Sequence, residues 1–168
     1  MRPAPLPALA PAHLVQELGQ AMSIDGELRQ IPPEQLALLD DESVIEGLKH
    51  SAAGISVGGA WEALHWILCG GQPTGVSAIL GGIAVDHGDV GYGPAQVLEP
   101  EEVAGFAEAL ATLSEEQLRA LYRPDAMSED HVYGANIEFE ELVRHIATLR
   151  AFYRDAAAKG CGMLQFLT

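Results

Sequence analysis

Trp61, Glu62 and His65 are the side chains whose types and spacing most suggest chemistry. Trp61 and His65 stand at i and i+4, and Glu62 and His65 stand at i and i+3, so within a helix the members of each pair share one face. A Glu-x-x-His pair supplies two metal ligands in some helical bundles. A metal site needs three or four ligands, however, and this motif occurs once in the chain.

Two interpretations of this cluster remain open. In the first, Trp61 and His65 are core residues and the imidazole is hydrogen-bonded to the backbone. In the second, they line a small-molecule pocket together with Glu62, Tyr92 and Tyr133. Convergence of these side chains on a concave, wet cavity would favour the pocket, whereas burial without a cavity would favour the core.

Two further groups of polar side chains have ordinary structural explanations. The run Asp86-His87-Gly88-Asp89 could hold a divalent cation, but Asp and Gly also favour turns, and we interpret the run as a turn. Cys69 stands four residues after His65 and could form a thiol–imidazole pair, although a cysteine at an apolar helix end is usually a small core residue. We expect no bound metal, no cofactor and no catalytic centre.

The net charge restricts the class of partner. The chain has 24 acidic and 9 Lys or Arg residues, for a formal charge of −15. Such a field repels phosphate backbones and anionic lipids, which argues against a nucleic-acid or membrane partner. A basic protein partner is favoured instead, and the acids that we expect to bind it are Glu115, Glu116, Glu129, Asp130, Glu138 and Glu141. The alternative is that the charge serves solubility alone.

The length predicts one domain. At 168 residues the chain can bury a core without a disulfide or metal. Residues 1–12 form a Pro/Ala-rich leader without the apolar run of a signal peptide, and residues 13–168 form the domain. We expect a cytoplasmic protein, and its oligomeric state is left open.

Hydrophobic periodicity predicts an α+β fold, in which a small mixed sheet packs with several helices and a long C-terminal helix precedes a terminal strand. A capping box at Ser114 and Gln117 starts one helix. In the long helix, Leu142, Ile146, Leu149 and Phe152 are expected to be buried. The other predicted helices cover residues 13–22, 33–49 and 59–69, with a further one from Pro100, and acids at 40–42 interrupt the second. The long helix covers residues 139–159. The predicted strands cover residues 76–80, 83–85 and 163–167.

Four segments in order resemble the YfbM-like family, a bacterial domain of unknown function. The run Trp61-Glu62-Ala63-Leu64-His65-Trp66-Ile67-Leu68-Cys69-Gly70 resembles its W-x-x-L-H-x-x-L-x-G helix. The others are Gly91-Tyr92-Gly93-Pro94-Ala95, the stretch Pro124–Met127 with Val132-Tyr133, and Leu149–Tyr153 with Ala156–Gly160. The resemblance covers residues 55–168 and implies an α+β fold without an established activity.

The chain departs from the family pattern at several positions. Gln96 stands where many members carry Arg, Gly134 replaces a Pro after Tyr133, and Glu138 stands near a common Trp. The Pro/Ala leader stands where members open with a Gly-Met strand, so the first strand is expected to be missing or replaced. If the usual Arg, Pro and Trp serve a shared site, this chain has lost it.

These observations lead to two functional hypotheses. The first is a non-catalytic acidic binding module, of the inhibitor or immunity type, that engages a basic protein. The alternative is a small-molecule-binding protein or enzyme whose pocket surrounds Trp61, His65, Tyr92 and Tyr133.

Overall fold

The structure is a computed structural model that describes residues 23–85 and 92–168. The leader at 1–12, the predicted helix at 13–22 and the predicted turn at 86–89 lie outside the described residues.

Five strands form one sheet in the order β2-β1-β5-β4-β3. Every pairing in it is antiparallel among the described residues, where the sequence predicted a mixed sheet. The longest ladder joins β1 to β5, from Gly26 opposite Leu167 to Ile31 opposite Gly162. The strands are β1 Gly26–Ile31, β2 Gly54–Gly58, β3 Ile83–Ala84, β4 Gln96–Leu98 and β5 Gly162–Leu167.

Helices connect the strands, and most lie in the C-terminal half. The predicted capping box is present, with Ser114 and Gln117 bonding each other's backbone N–H groups. A 3-10 helix at Pro33–Leu38 and α1 replace the single helix at 33–49. The break was expected at 40–42 and lies at 39–41, because Glu42 begins α1. The α-helices are α1 Glu42–Lys49, α2 Trp61–Leu68, α3 Pro100–Thr112, α4 Glu115–Leu121, α5 Pro124–Glu129 and α6 Phe139–Ala158.

The sheet has apolar residues on both faces. Met163 of β5 belongs to the larger core with α2, α3 and α6, whereas its neighbour Leu164 belongs to a smaller core with Ile45 and Leu48 of α1. This alternation follows from the two-residue period of a strand. The architecture is therefore α+β with three layers, and β5 at its centre is buried on both faces.

Three strands of the sheet, β1, β2 and β4, were not predicted. The segment Val76–Leu80, which was predicted as a strand, is an irregular loop in which residues 77–79 are buried. In β1, Gln30 is 4% exposed and its amide donates to Asp155 Oδ2 at 2.9 Å, a pairing that no local pattern reveals. The first described strand is β1, which pairs with β2 and β5. The expectation that the chain lacks a first strand is therefore wrong.

The buried stripe of α6 differs from the predicted one at a single position. Leu142, Ile146 and Leu149 are buried as expected, but Phe152 is only partly buried. Tyr153 is 0% exposed instead, because its hydroxyl donates to the Ala78 carbonyl oxygen in the irregular loop. Tyr153 therefore continues the buried stripe beneath the loop, and Phe152 lies beside it.

None of the helices within 23–85 and 92–168 has the length and apolar character needed to cross a bilayer.

Replacing the two neighbouring aromatic residues separately should show which one belongs to the core. We expect Tyr153→Ala to lower the free energy of unfolding by about 3–5 kcal/mol, the usual cost of removing a buried aromatic ring. Phe152→Ala should cost less than half as much, because its side chain is already partly hydrated. Urea denaturation monitored by circular dichroism measures both, and equal losses would contradict this assignment.

Candidate functional site

Trp61, Glu62 and Tyr133 form a contact between α2 and the segment that precedes α6. The Trp61 and Tyr133 rings lie 6.3 Å apart between centroids, and Glu62 Oε2 accepts from the Tyr133 backbone N–H at 2.6 Å. The Tyr133 hydroxyl accepts from the Ile24 backbone N–H at 3.3 Å. A Cβ atom at position 26 would collide with the Trp61 Cβ atom, so Trp61 packs directly against the Gly26 backbone. The cluster therefore joins three parts of the chain.

His65 faces the interior rather than this cluster. It is 6% exposed, and its Nδ1 lies 2.8 Å from Ser77 Oγ. The imidazole was expected to bond the backbone, whereas its partner is this hydroxyl. Burial lowers the pKa of His65, and the nearby Glu62 carboxylate opposes that shift only in part. His65 is consequently a neutral core residue.

Ser77 belongs to a loop in which several backbone N–H and carbonyl groups form hydrogen bonds with side chains. Its Oγ accepts from the Ile79 backbone N–H at 3.1 Å. Gln165 of β5 is 0% exposed; its amide donates to the Ser77 carbonyl oxygen at 2.9 Å and its Oε1 accepts from the Gly82 N–H at 3.1 Å. These contacts fix the loop between α2, β5 and α6.

Cys69 lies beside the imidazole without the features of a nucleophile. Its Sγ is 3.8 Å from both ring nitrogens of His65. Burial raises the pKa of the Cys69 thiol, so the thiol form is favoured over the reactive thiolate. The pair is a packing contact.

The proposed pocket residues do not converge. Tyr92 is 49% exposed on the segment before β4, whereas Trp61 packs beside Gly26 of β1, near the opposite end of the strand order. His65 is buried among other residues, and Tyr133 is 39% exposed. The four side chains therefore do not line one cavity.

No group of three or more His, Cys, Asp or Glu side chains lies close enough to hold a metal ion within the described ranges. Asp86, His87 and Asp89 lie outside those ranges.

A polar groove is present at the edge of the sheet, where sequence reasoning did not place a site. Its volume is about 350 Å³. The end of β2 and the turn into α2 form one wall, and the segment 134–137 with the first turns of α6 forms the other. Its polar side chains are Ser56, Asn136, Glu141 and His145. Only Glu141 had been singled out, although its i, i+4 spacing to His145 was visible in the sequence.

The predicted partner-binding acids lie on α4, on α5 and at the start of α6. Three of them have intramolecular contacts: Glu115 pairs with Arg119 at 3.3 Å, Asp130 accepts from Trp66 Nε1 at 2.8 Å, and Glu141 lies 3.7 Å from His145 Nε2. Glu141 is partly buried, and the remaining five acids are exposed, namely Glu115, Glu116, Glu129, Asp130 and Glu138.

Two departures from the family pattern have structural explanations. Gly134 has φ +76°, and a Cβ atom there would lie 2.7 Å from the Gly59 carbonyl oxygen. Proline cannot adopt a positive φ, so glycine allows a close approach that Pro would prevent. Gln96 Oε1 accepts from the Gly81 backbone N–H at 2.6 Å, which gives it a role in holding the irregular loop. Glu138 is the exposed N-cap residue of α6.

The buried neutral imidazole predicts a dependence of stability on pH. The unfolded His65 binds a proton with its ordinary pKa near 6.5, whereas the folded pKa is lower. As the pH falls below about 6.5, the unfolded state takes up more protons, so stability present above that pH is lost. Between about pH 7 and pH 5.5, we expect the free energy of unfolding to fall by up to about 1 kcal/mol more in the wild type than in His65→Gln.

Urea denaturation at each pH measures this difference. The control is His50→Gln, which removes an exposed imidazole and should leave the wild-type pH dependence unchanged. Parallel losses in the wild type and His65→Gln, or a His65 imidazole that titrates at or above its ordinary value by NMR, would contradict the prediction.

The comparisons with known proteins agree with this fold. A family model described as a domain of unknown function (DUF1877) matches residues 17–166. Among solved structures, YfbM from Escherichia coli, a protein of unknown function, aligns with a TM-score of 0.66 and 20% identity over 86% of this chain and 99% of that chain. At this identity the likeness describes the fold alone. No curated protein matches the sequence. Because the family model spans most of the chain and starts well before residue 55, this protein belongs to the DUF1877, or YfbM-like, family.

Proposed function

We propose that this protein is a non-catalytic acidic module, of the inhibitor or immunity type, that binds a basic protein. The observation that supports the proposal is the excess of exposed acids over exposed cations between Glu115 and Arg144. The exposed cations there are Arg119, Arg123 and Arg144, and the exposed acids are Glu115, Glu116, Asp125, Glu129, Asp130, Glu138 and Glu140. With a net charge of −15, this excess favours a cationic partner.

Two arginines are tied to the backbone. Arg150 of α6 donates to the carbonyl oxygens of Leu110 at 2.9 Å and Leu113 at 2.8 Å, which joins α6 to the end of α3. Arg29 of β1 donates to the Lys49 carbonyl oxygen at 3.1 Å and the Ile55 carbonyl oxygen at 3.2 Å. These guanidinium groups stabilise the fold and contribute little to the outer surface.

Two further arginines lie against aromatic rings. The Arg119 guanidinium is 4.1 Å from the Phe139 ring centroid, and that of Arg123 is 5.3 Å from the Trp66 ring centroid. Both arginines are nevertheless exposed, and the exposed acids of the same region, such as Glu116 and Glu138, outnumber them.

An acidic surface of this kind acts mainly on the rate of association. Charge complementarity steers the encounter of two proteins and excludes partners of like charge. The competing explanation is that the acids only keep the protein soluble. It predicts that the association rate does not depend on where on the surface the charge lies. The two explanations can therefore be separated by moving charge without changing its amount.

The test uses the basic protein that the immobilised chain captures from a lysate of its source cells. Glu116→Lys with Glu138→Lys should lower the association rate constant at least about tenfold. Raising the salt concentration from about 0.1 M to about 1 M shortens the Debye length from about 10 Å to about 3 Å and should give a similar loss. Both rates can be measured by surface plasmon resonance.

A matched control places the same charge change elsewhere. Glu34 and Asp40 are exposed on or near the 3-10 helix, where Pro33 lies close to Gly160 just after α6. Since α6 has 20 residues, Glu138 lies about 30 Å away along that helix. Glu34→Lys with Asp40→Lys should change the rate far less. An acidic or neutral captured partner, or equal effects of the two double variants, would contradict the proposal.

A further inference from the structure

The polar groove contains one carboxylate, one imidazole, one amide and one hydroxyl group. Glu141 and His145 stand one turn apart on α6, with Oε1 and Nε2 separated by 3.7 Å and with 46% and 24% of their side chains exposed. The exposed Asn136 adds an amide. Ser56 adds a hydroxyl that already accepts from the Gly58 N–H at 3.1 Å. This set of groups can accept hydrogen bonds from a cation and offers no permanent positive charge to an anion.

Glycines lie in both walls of the groove. Gly58, in the turn into α2, has φ +54°, and Gly134, on the side of α6, has φ +76°, values that side chains rarely adopt. The Gly134 backbone also approaches the Gly59 carbonyl oxygen too closely for a Cβ atom. These positions therefore add no side chain to the groove that contains Glu141.

The size of this groove and its hydrogen-bonding groups suit a guanidinium group. A volume of about 350 Å³ is at the small end of the range for ligand sites and fits the end of a long side chain. A guanidinium group is planar, carries five N–H donors and pairs with a carboxylate through two parallel hydrogen bonds. An ammonium group is a compact point charge and lacks the planar fork that pairs with a carboxylate through two hydrogen bonds.

We propose that this groove binds the guanidinium group of an arginine side chain presented by the basic partner. The inference rests on the proposed function, because it names the chemical group by which that partner is anchored. Glu141 would pair with the guanidinium, and Asn136 and His145 would accept its remaining N–H donors. An edge strand forms one wall, since β2 is at the end of the strand order, so an extended segment of the partner can approach from that side.

The probe is N-acetyl-L-arginine amide, titrated into the full chain and followed by the backbone amide resonances of Gly58, Gly59 and Gly134. We expect saturable shifts that the citrulline analogue, which has the same shape without the charge, does not produce. The lysine analogue should bind several-fold more weakly. Glu141→Gln should weaken binding of the arginine probe about tenfold or more, and Asn136→Ala should weaken it several-fold.

The matched control is Glu140→Gln, which removes the same charge at the neighbouring exposed residue and should change the dissociation constant less than twofold. Equal weakening by Glu140→Gln and Glu141→Gln, equal shifts with citrulline, or no saturable shifts at all would overturn the arginine site.

These outcomes are separate from those of the acidic surface. If Glu116→Lys with Glu138→Lys slows partner binding while the arginine probe leaves the groove resonances unchanged, the acidic surface stands and the arginine site is wrong. In the opposite case, the probe binds and Glu141→Gln weakens its binding, but Glu116→Lys with Glu138→Lys leaves the rate of partner association unchanged. The arginine site then stands and the acidic surface is wrong.

Discussion

The irregular loop Val76–Leu80 enters the core without forming a strand or helix, so its polar backbone groups need partners from elsewhere. Gln165 supplies one of these contacts from the centre of the sheet, to the Ser77 carbonyl oxygen, and also accepts from the Gly82 N–H just after the loop. Tyr153 supplies another contact from α6. His65 reaches the same loop from α2 through Ser77. The sheet, α2 and α6 are thus fixed relative to one another by one set of buried hydrogen bonds, and the position of α2, which sets one wall of the groove, depends on them.

This arrangement assigns different roles to residues that look alike in the sequence. His65 is surrounded by core atoms and remains neutral, whereas His145 lies partly exposed beside Glu141 in the groove. Among the acids, Glu62 caps a backbone N–H while Glu116 and Glu138 face outward. Burial and neighbours, rather than residue type, therefore decide which groups hold the fold together and which are free to meet a partner.

Local signals predicted the helical half of the fold well. The capping box at Ser114 and most of the buried stripe of α6 depend on residues within a few turns of each other, and both were found where expected. The strand β1 was missed because buried Gln30 has its partner, Asp155, far along the chain. The groove was missed for the same reason. Glu141 and His145 are one helical turn apart in the sequence, but Gly58 and Gly59, which belong to the opposite wall, are brought to them only by tertiary packing.

The central claim is that a basic partner binds across α4–α6 and the groove beside them. Hydrogen–deuterium exchange of the protein, alone and bound to its captured partner, tests this claim directly. We predict slower exchange in the turn 56–60, in the segment 131–137 and in the first turns of α4 and α6, with unchanged exchange in the 3-10 helix at Pro33–Leu38. Protection confined to that helix and α1, with none in α4–α6 or the turn 56–60, would contradict the account.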